Sequence, residues 1–455
     1  MSGPATGSGE RVTDKRQLVE YLAAGCKPPA AWRIGSEHER FAFTVEDRRP
    51  LPHQGSRSVQ ALLEGLQQFD WQPVREGAAL IALAHADGST ISLEPGGQIE
   101  LSAAPLHTVH EIHRTIAEHH RQVRTVAEPL GISLLALGFQ PRWKREDIPW
   151  MPKSRYGIMG KYMPKMGRLG LDMMLRTCTI QVNLDYGSEA DMVRKYRVAL
   201  ALQPIVTALF AHSPFVEGRP GDFLSYRSHV WTDTDPDRCG MIPFVFTVGM
   251  GFERYVDYML DVPMYFVYRN GHYIDASGQS FRAFMAGRLP ALPGEVPTLA
   301  DWVNHLTTAF PEVRLKRFLE MRGADAGPAA YLCALSALWS GLLYSSSALE
   351  AALTVVADWT AEERDRLRRD VPRFGLKTPF RGQTVREVVL LVLDIARDGL
   401  HARHQCDAEG RDERLYLDPL AVIAESGRTP AKDLLDRYWG RWGQSVDPLF
   451  DEAVE

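Results

Sequence analysis

The sequence predicts one α+β domain, an antiparallel sheet with helices on one face and polar side chains on the other, leading into a mainly helical C-terminal part. Three observations predict it. The segment CTIQVNLDY (178–186) alternates cleanly, with Thr179, Gln181, Asn183 and Asp185 on one face and Ile180, Val182 and Leu184 on the other. Beyond residue 330 the periodicity turns helical. No linker, internal repeat or low-complexity segment divides the 455 residues. Residues 1–10 read as a flexible tail and 11–455 as a single domain.

Taken in order, residues 12–25 read as an opening helix that ends at the Pro28-Pro29 turn. GSEHERFAF begins a strand over 35–45, and SRSVQALLEGLQ (57–68) has helical spacing. Strand-like pieces surround ISLEPGGQIELS, where Pro95, Gly96 and Gly97 force a turn or bulge. Val109, Ile112, Ile116, Val123 and Val126 predict a helix over 107–128, and LLALGFQP (134–141) reads as a buried strand. Residues 142–170, dense in Lys, Arg, Met, Gly and Pro, show no period and read as a functional loop. A helix follows over 188–211. Thr360 with Glu363 forms a capping box, and Thr429-Pro430 reads as a cap and first turn.

Composition narrows the function. With 45% hydrophobic and 24% charged residues, the chain is an ordinary globular protein. Its net charge of −5 argues against a nucleic-acid-coating protein, and no apolar run reaches membrane-spanning length. Five scattered cysteines without C-x-x-C fit a reducing compartment. MSGPATGSGERVTDKRQL has neither an apolar signal core nor an Arg-rich transit pattern, so the expectation is a cytoplasmic enzyme, with a plastid protein lacking its leader as the alternative.

Four segments repeat one device, two polar residues spaced two apart: Glu37/Glu39, Gln98/Glu100, Gln181/Asn183 and Glu320/Arg322. Glu37 and Glu39 are in phase with Phe41 and Phe43, so two carboxylates share a face that aromatics mark as covered. With Glu94, five carboxylates are candidates for one site. Pattern alone admits two readings: solvated strand faces, or oxygen ligands for a hard cation such as Mg²⁺ that bridges carboxylates to phosphates. The four histidines of HEIHRTIAEHH lack metalloprotease spacing and read as a solvated helix flank. Trp439, Trp442 and Phe450 read as packing anchors. Arg155, Lys161, Lys165 and Arg168 are either anion contacts or surface charge. Walker A, G-x-G-x-x-G and G-x-S-x-G sequences do not occur.

Together, GSEHERFAF, LEPGGQIELSAAPL, RTCTIQVNLDY, YRSHVWTDTDPDRCG, DVPMYF, FPEVRLKRFLEMRGADAG and WGQSVDPLF resemble glutamate–cysteine ligases of the plant and proteobacterial type, from about residue 12 to about 451. The resemblance implies a glutamine-synthetase-like core, a curved antiparallel sheet forming a funnel with helices outside. It also implies the reaction: L-glutamate, L-cysteine and ATP give γ-glutamylcysteine, ADP and phosphate through a γ-glutamyl phosphate, the first step toward glutathione. By resemblance, Glu37 and Glu39 belong to the Mg²⁺–ATP site, and Glu94, Glu100, Gln181 and Glu320 complete the metal ligands and their neighbours. Arg155 and Arg227 would hold substrate glutamate, and Arg322 would face the phosphates. Tyr265 is either a contact in the cysteine pocket or a core aromatic. A related ligase with another amine acceptor, and a catalytically silent binding protein, are the competing readings. The enzyme would act as a monomer or homodimer. Plant members carry two regulatory disulfides; their positions here hold Ala276 with Ala291 and His113 with Cys333, which implies that this chain lacks that thiol switch.

Overall fold

The computed structural model describes residues 9–453. Of the tail expected over 1–10, residues 1–8 lie outside the described residues. Glu10 is docked, its carbonyl accepting from Leu299 N, and Val12, which follows, is fully buried.

The central element is β1 (Ile34–Thr44), a long, almost wholly buried strand. It is joined by β2 (Gln72–Glu76), β3 (Ala79–Ala84), β4 (Thr90–Leu93), β5 (Ile99–Ser102), β6 (Ile132–Leu135), β7 (Thr179–Leu184), β8 (Val313–Leu315) and β9 (Leu319–Asp325). The sheet order is β8-β9-β7-β1-β5-β4-β3-β2, with β6 on the C-terminal half of β1, and every pairing is antiparallel. The strand predicted over 134–141 is shorter; only Ile132–Leu135 pairs, and Phe139 makes an isolated bridge to Thr177.

Before the site come α1 (Lys15–Ala23), α2 (Val59–Leu66) and α3 (Val109–Ala127), each opened by a side-chain cap from Asp14, Ser58 and Thr108. Residues 142–170 correct the expectation of an irregular loop, since most of the stretch's second half is α4 (Ser154–Met166), followed by α5 (Gly170–Arg176). The buried residues of α4 are Arg155, Tyr156, Met159, Tyr162 and Met163, a helical spacing written in residues that do not read as apolar. Pro164 lies in its last turn, where it has no N–H to give the Gly160 carbonyl one turn back.

The helical layer is α6 (Glu189–Leu209) against β8 and β9, and α8 (Ala329–Leu343) against β7 and β1, with a short α7 (Tyr226–Val230) between them in sequence. Ile180, Val182, Leu184 and Met321 enter one core with these helices. A second core gathers Phe41, Phe43, Leu62, Leu83 and Ile91, and Phe450 closes on Phe43 at 5.0 Å. This explains the phenylalanines in phase with the acidic pair: they lie further along β1, where the C-terminal segment covers that face. Trp442 and Phe450 are buried as expected, but Trp439 is 60% exposed.

Histidines 110 and 119 are buried as well, against the solvated-flank expectation. His38 projects from the helical face of β1 onto His119 and His120, at ring separations of 5.4 and 5.5 Å. Among the described residues no single helix is long and apolar enough to cross a membrane.

Candidate active site

Strand register assembles the polar face. Glu37 lies opposite Gln181, Glu39 opposite Glu100, and Glu320 opposite Asn183, so side chains from four strands converge on one side. The Pro95–Gly97 turn between β4 and β5 carries Glu94 to the same cleft. Gln98 pins that turn: its Oε1 accepts from Gly96 N at 2.9 Å and its Nε2 donates to Thr177 O at 2.9 Å. Gly96 has no alternative, because a Cβ there would stand 2.5 Å from Leu175 O.

The cleft, about 860 Å³ including its open mouth, is lined by Glu37, Glu39, Glu94, Glu100, Gln181, Arg155, Arg227 and Arg322. Of the predicted site residues, Glu320 lies just behind this lining, and Tyr265 is not brought to the cleft at all. The Tyr265 ring is fully buried under the Arg238 guanidinium at 3.9 Å, which makes it a core aromatic.

The face divides into two electrostatic halves. In the acidic half, burial pushes the Glu39 carboxyl well above the usual carboxylate range, and the Glu94 and Glu100 charges add to the rise. Arg227 and a hydrogen bond from Thr179 N (2.9 Å) oppose it. Burial and Glu100 likewise raise Glu94 to about 7, against Lys153 and Arg155. In the basic half, burial alone would raise the fully buried Glu320. Arg314 (2.6 Å), Lys316 (2.9 Å) and Arg322 (2.8 Å) outweigh it and hold this carboxyl well below its usual range. Arg322 also donates to Gln181 Oε1 at 2.7 Å, and Glu37 accepts from Asn183 Nδ2 at 2.8 Å. Among the described residues no three or more His, Cys, Asp or Glu side chains form a ready-made metal cage.

Two arginines flank these halves. Arg155, in the first turn of α4, lies 5.2 Å over the Phe266 ring. Arg227, in α7, is 2% exposed and donates to Arg322 O at 2.8 Å. Three cations escaped the sequence reading. Arg314 and Lys316 repeat the two-apart device already noted, so the signal was present in VRLKR. Lys153 is buried, its Nζ donating to Leu93 O at 2.6 Å, and burial lowers its pKa to about 8. Nothing in its local sequence marks it, because only the fold brings it beneath Glu94.

An antiparallel sheet that confronts clustered carboxylates with clustered guanidinium groups is suited to holding anionic substrates together. That is the arrangement an ATP-dependent carboxylate–amine ligase requires. The comparisons agree. The family model described as glutamate-cysteine ligase family 2 matches residues 33–452. A chloroplastic glutamate–cysteine ligase of Brassica juncea is 57% identical over 441 residues, covering 97% of this chain and 84% of its own. A chloroplastic glutamate–cysteine ligase B of Oryza sativa subsp. japonica is 54% identical over 457 residues, covering 100% and 90%. A crystal structure of glutamate–cysteine ligase from Francisella tularensis in complex with AMP shares the fold, with a TM-score of 0.53 at 12% identity over 93% of this chain and 87% of that one. This chain belongs to the glutamate–cysteine ligase family 2. The cytoplasmic expectation is thereby corrected: relatives from Brassica, Arabidopsis, Medicago and rice are chloroplastic enzymes.

Proposed function

We propose that the cleft on the polar sheet face is where this glutamate–cysteine ligase, the enzyme of the first step of glutathione biosynthesis, joins its substrates. The observation that carries the reading is the register that sets Glu37, Glu39, Glu100 and Gln181 on one face opposite Arg227 and Arg322.

Carboxylates are poor electrophiles, so the glutamate side chain must first become an acyl phosphate. Its γ-carboxylate attacks the terminal phosphorus of ATP, and ADP leaves. The amine of cysteine, having lost its proton, then attacks the acyl carbon, and phosphate leaves. Two anions must meet in the first step. Arg155 and Arg227 hold glutamate carboxylates by the paired geometry of guanidinium, and Arg322 with Arg314 faces the phosphates. Glu320 aligns these two cations, and with Gln181 it would adjoin the carboxylates that hold a metal.

The residues present fit Mg²⁺. Glu39, Glu94 and Glu100 repel one another in a buried cluster of hard oxygens without forming a closed cage, which suits an ion that keeps water and phosphate among its ligands. Glu37, Glu39, Glu94 and Glu100 would hold it, and when bound it neutralises phosphoryl charge. The test is ADP release with ATP, Mg²⁺ and glutamate, comparing cysteine with other amines and with no amine. Release that is fastest with cysteine supports the reading. Equal release with an unrelated amine would transfer the site to another ligase.

A further inference from the structure

Strand β9 does not run straight through the site. Met321 opposes Val182 and Ala324 opposes Ile180, so Arg322 and Gly323 together face the single residue Gln181. That is a β-bulge, and it changes the parity of everything after it. Without it, Asp325 would fall on the face opposite Glu320. With it, Asp325 lies opposite Thr179, on the same face as Gln181 and Asn183.

The bulge also builds a seat for Arg227. One guanidinium nitrogen donates to the bulged Arg322 carbonyl at 2.8 Å, and another stands 4.0 Å from Asp325 Oδ1. Both side chains of this pair are buried, at 3% and 0% exposure. Asp325 is itself fixed from three directions: His212 N donates at 2.8 Å, Ser213 Oγ at 2.6 Å and Ser225 Oγ at 2.8 Å. Ser213 Oγ in turn accepts from Arg227 N at 3.2 Å, and Ser225 caps the helix that carries Arg227. Three routes from Asp325 therefore end at Arg227, through its charge, its backbone and its helix.

We propose that Asp325 is a positioning residue for glutamate binding: it fixes Arg227 in the orientation that meets a substrate carboxylate. Asp325 touches no substrate. It supplies the strongest of the negative charges that act on Arg227, ahead of Glu39 and Glu312, and it locks the α7 N-terminus to the sheet. This inference rests on the assignment of Arg227 given above.

The test is steady-state kinetics on the full chain with each substrate varied in turn, for Asp325→Asn, Ser213→Ala, Ser225→Ala, Arg227→Gln and the Asp325→Asn/Arg227→Gln double variant. Asparagine keeps the size and an acceptor but removes the charge. Asp325→Asn should raise the glutamate KM about tenfold while the KM for ATP and for cysteine stays within about twofold. Ser213→Ala and Ser225→Ala should move the same constant by smaller factors. On top of Arg227→Gln, Asp325→Asn should add nothing, because the two act as one unit. An equal loss across all three substrates, or an undiminished effect of Asp325→Asn in the Arg227→Gln background, would overturn the proposal. If Asp325→Asn does not fold, the two serine variants decide, and an unchanged glutamate KM in both overturns it. A raised glutamate KM in Arg227→Gln with none in Asp325→Asn rejects only the positioning role. An unchanged glutamate KM in Arg227→Gln rejects the reading of the site, and the positioning role with it.

Discussion

Glu39 and Glu320 belong to one sheet face, two strands apart, yet their surroundings are opposite. Glu39 has carboxylates for neighbours, whereas Glu320 is surrounded by three cations. Removing an acidic side chain should therefore have different consequences on the two sides. Glu100→Ala relieves repulsion on Glu39 and Glu94 but also loses the hydrogen bond from Ser102 Oγ; its stability should change by less than about 1 kcal/mol, while turnover should fall about 100-fold through loss of an acidic side chain from the cleft. Glu320→Ala strands the buried Arg314 and the half-buried Lys316 and Arg322 and should cost about 3–5 kcal/mol of stability in addition to activity. Equilibrium urea unfolding of both variants checks this. Equal destabilisation would mean that the two halves are not electrostatically distinct. Arg227 allows a test of a different kind. Lysine carries the charge without the planar fork, so Arg227→Lys should raise the glutamate KM about 10- to 100-fold and affect ATP less. If ATP affinity alone suffers, Arg227 is a phosphate contact.

Among the elements, the strands were the most legible. Alternation in CTIQVNLDY gave β7 and its polar face, and the polar pairs on β1 and β5 gave the convergence of Glu37, Glu39 and Glu100, because a period of two is enough to assign a face. Helix α4 was not legible, since the residues it buries are an arginine, two tyrosines and two methionines. The bulge in β9 was equally hidden: parity within EMRGAD does not show where the ladder slips. Its surroundings are tight. A Cβ on Gly138 would stand 2.4 Å from Asp325 Cγ, so Gly138→Ala should destabilise by about 1–3 kcal/mol, seen as a lowered thermal midpoint. An unchanged midpoint would mean that the Asp325 seat is slack. Thiol chemistry also belongs to this scale. All five cysteines are free, with Cys333 buried in α8 and His113 on α3, and Ala276 and Ala291 at the other pair of positions. Activity should stay within about twofold between dithiothreitol and oxidised glutathione. A large reversible loss on reduction, abolished by Cys333→Ser, would reveal another bridge.

The whole molecule stacks two chemically different faces on one sheet. The helical face buries neutral histidines, and burial, with the charges of His120 and Arg40, lowers the pKa of His119 to about 3. The unfolded chain binds that proton near pH 6.5. The contribution to stability is therefore complete above about 6.5 and is lost as pH falls toward 3. The drop in thermal midpoint between about pH 7 and about pH 5 should be smaller in His119→Gln than in the native protein, and an identical drop would place the acid sensitivity elsewhere. The opposite face carries the central claim, that glutamate and cysteine are joined at the expense of ATP against the carboxylates of β1. The most direct measurement is ADP and γ-glutamylcysteine formed together by the native chain and by Glu39→Gln at saturating substrates and Mg²⁺. The account predicts equimolar products that require both amino acids, and a rate about 100-fold lower in the variant with its melting behaviour intact. Equimolar product at an undiminished rate from Glu39→Gln would contradict it.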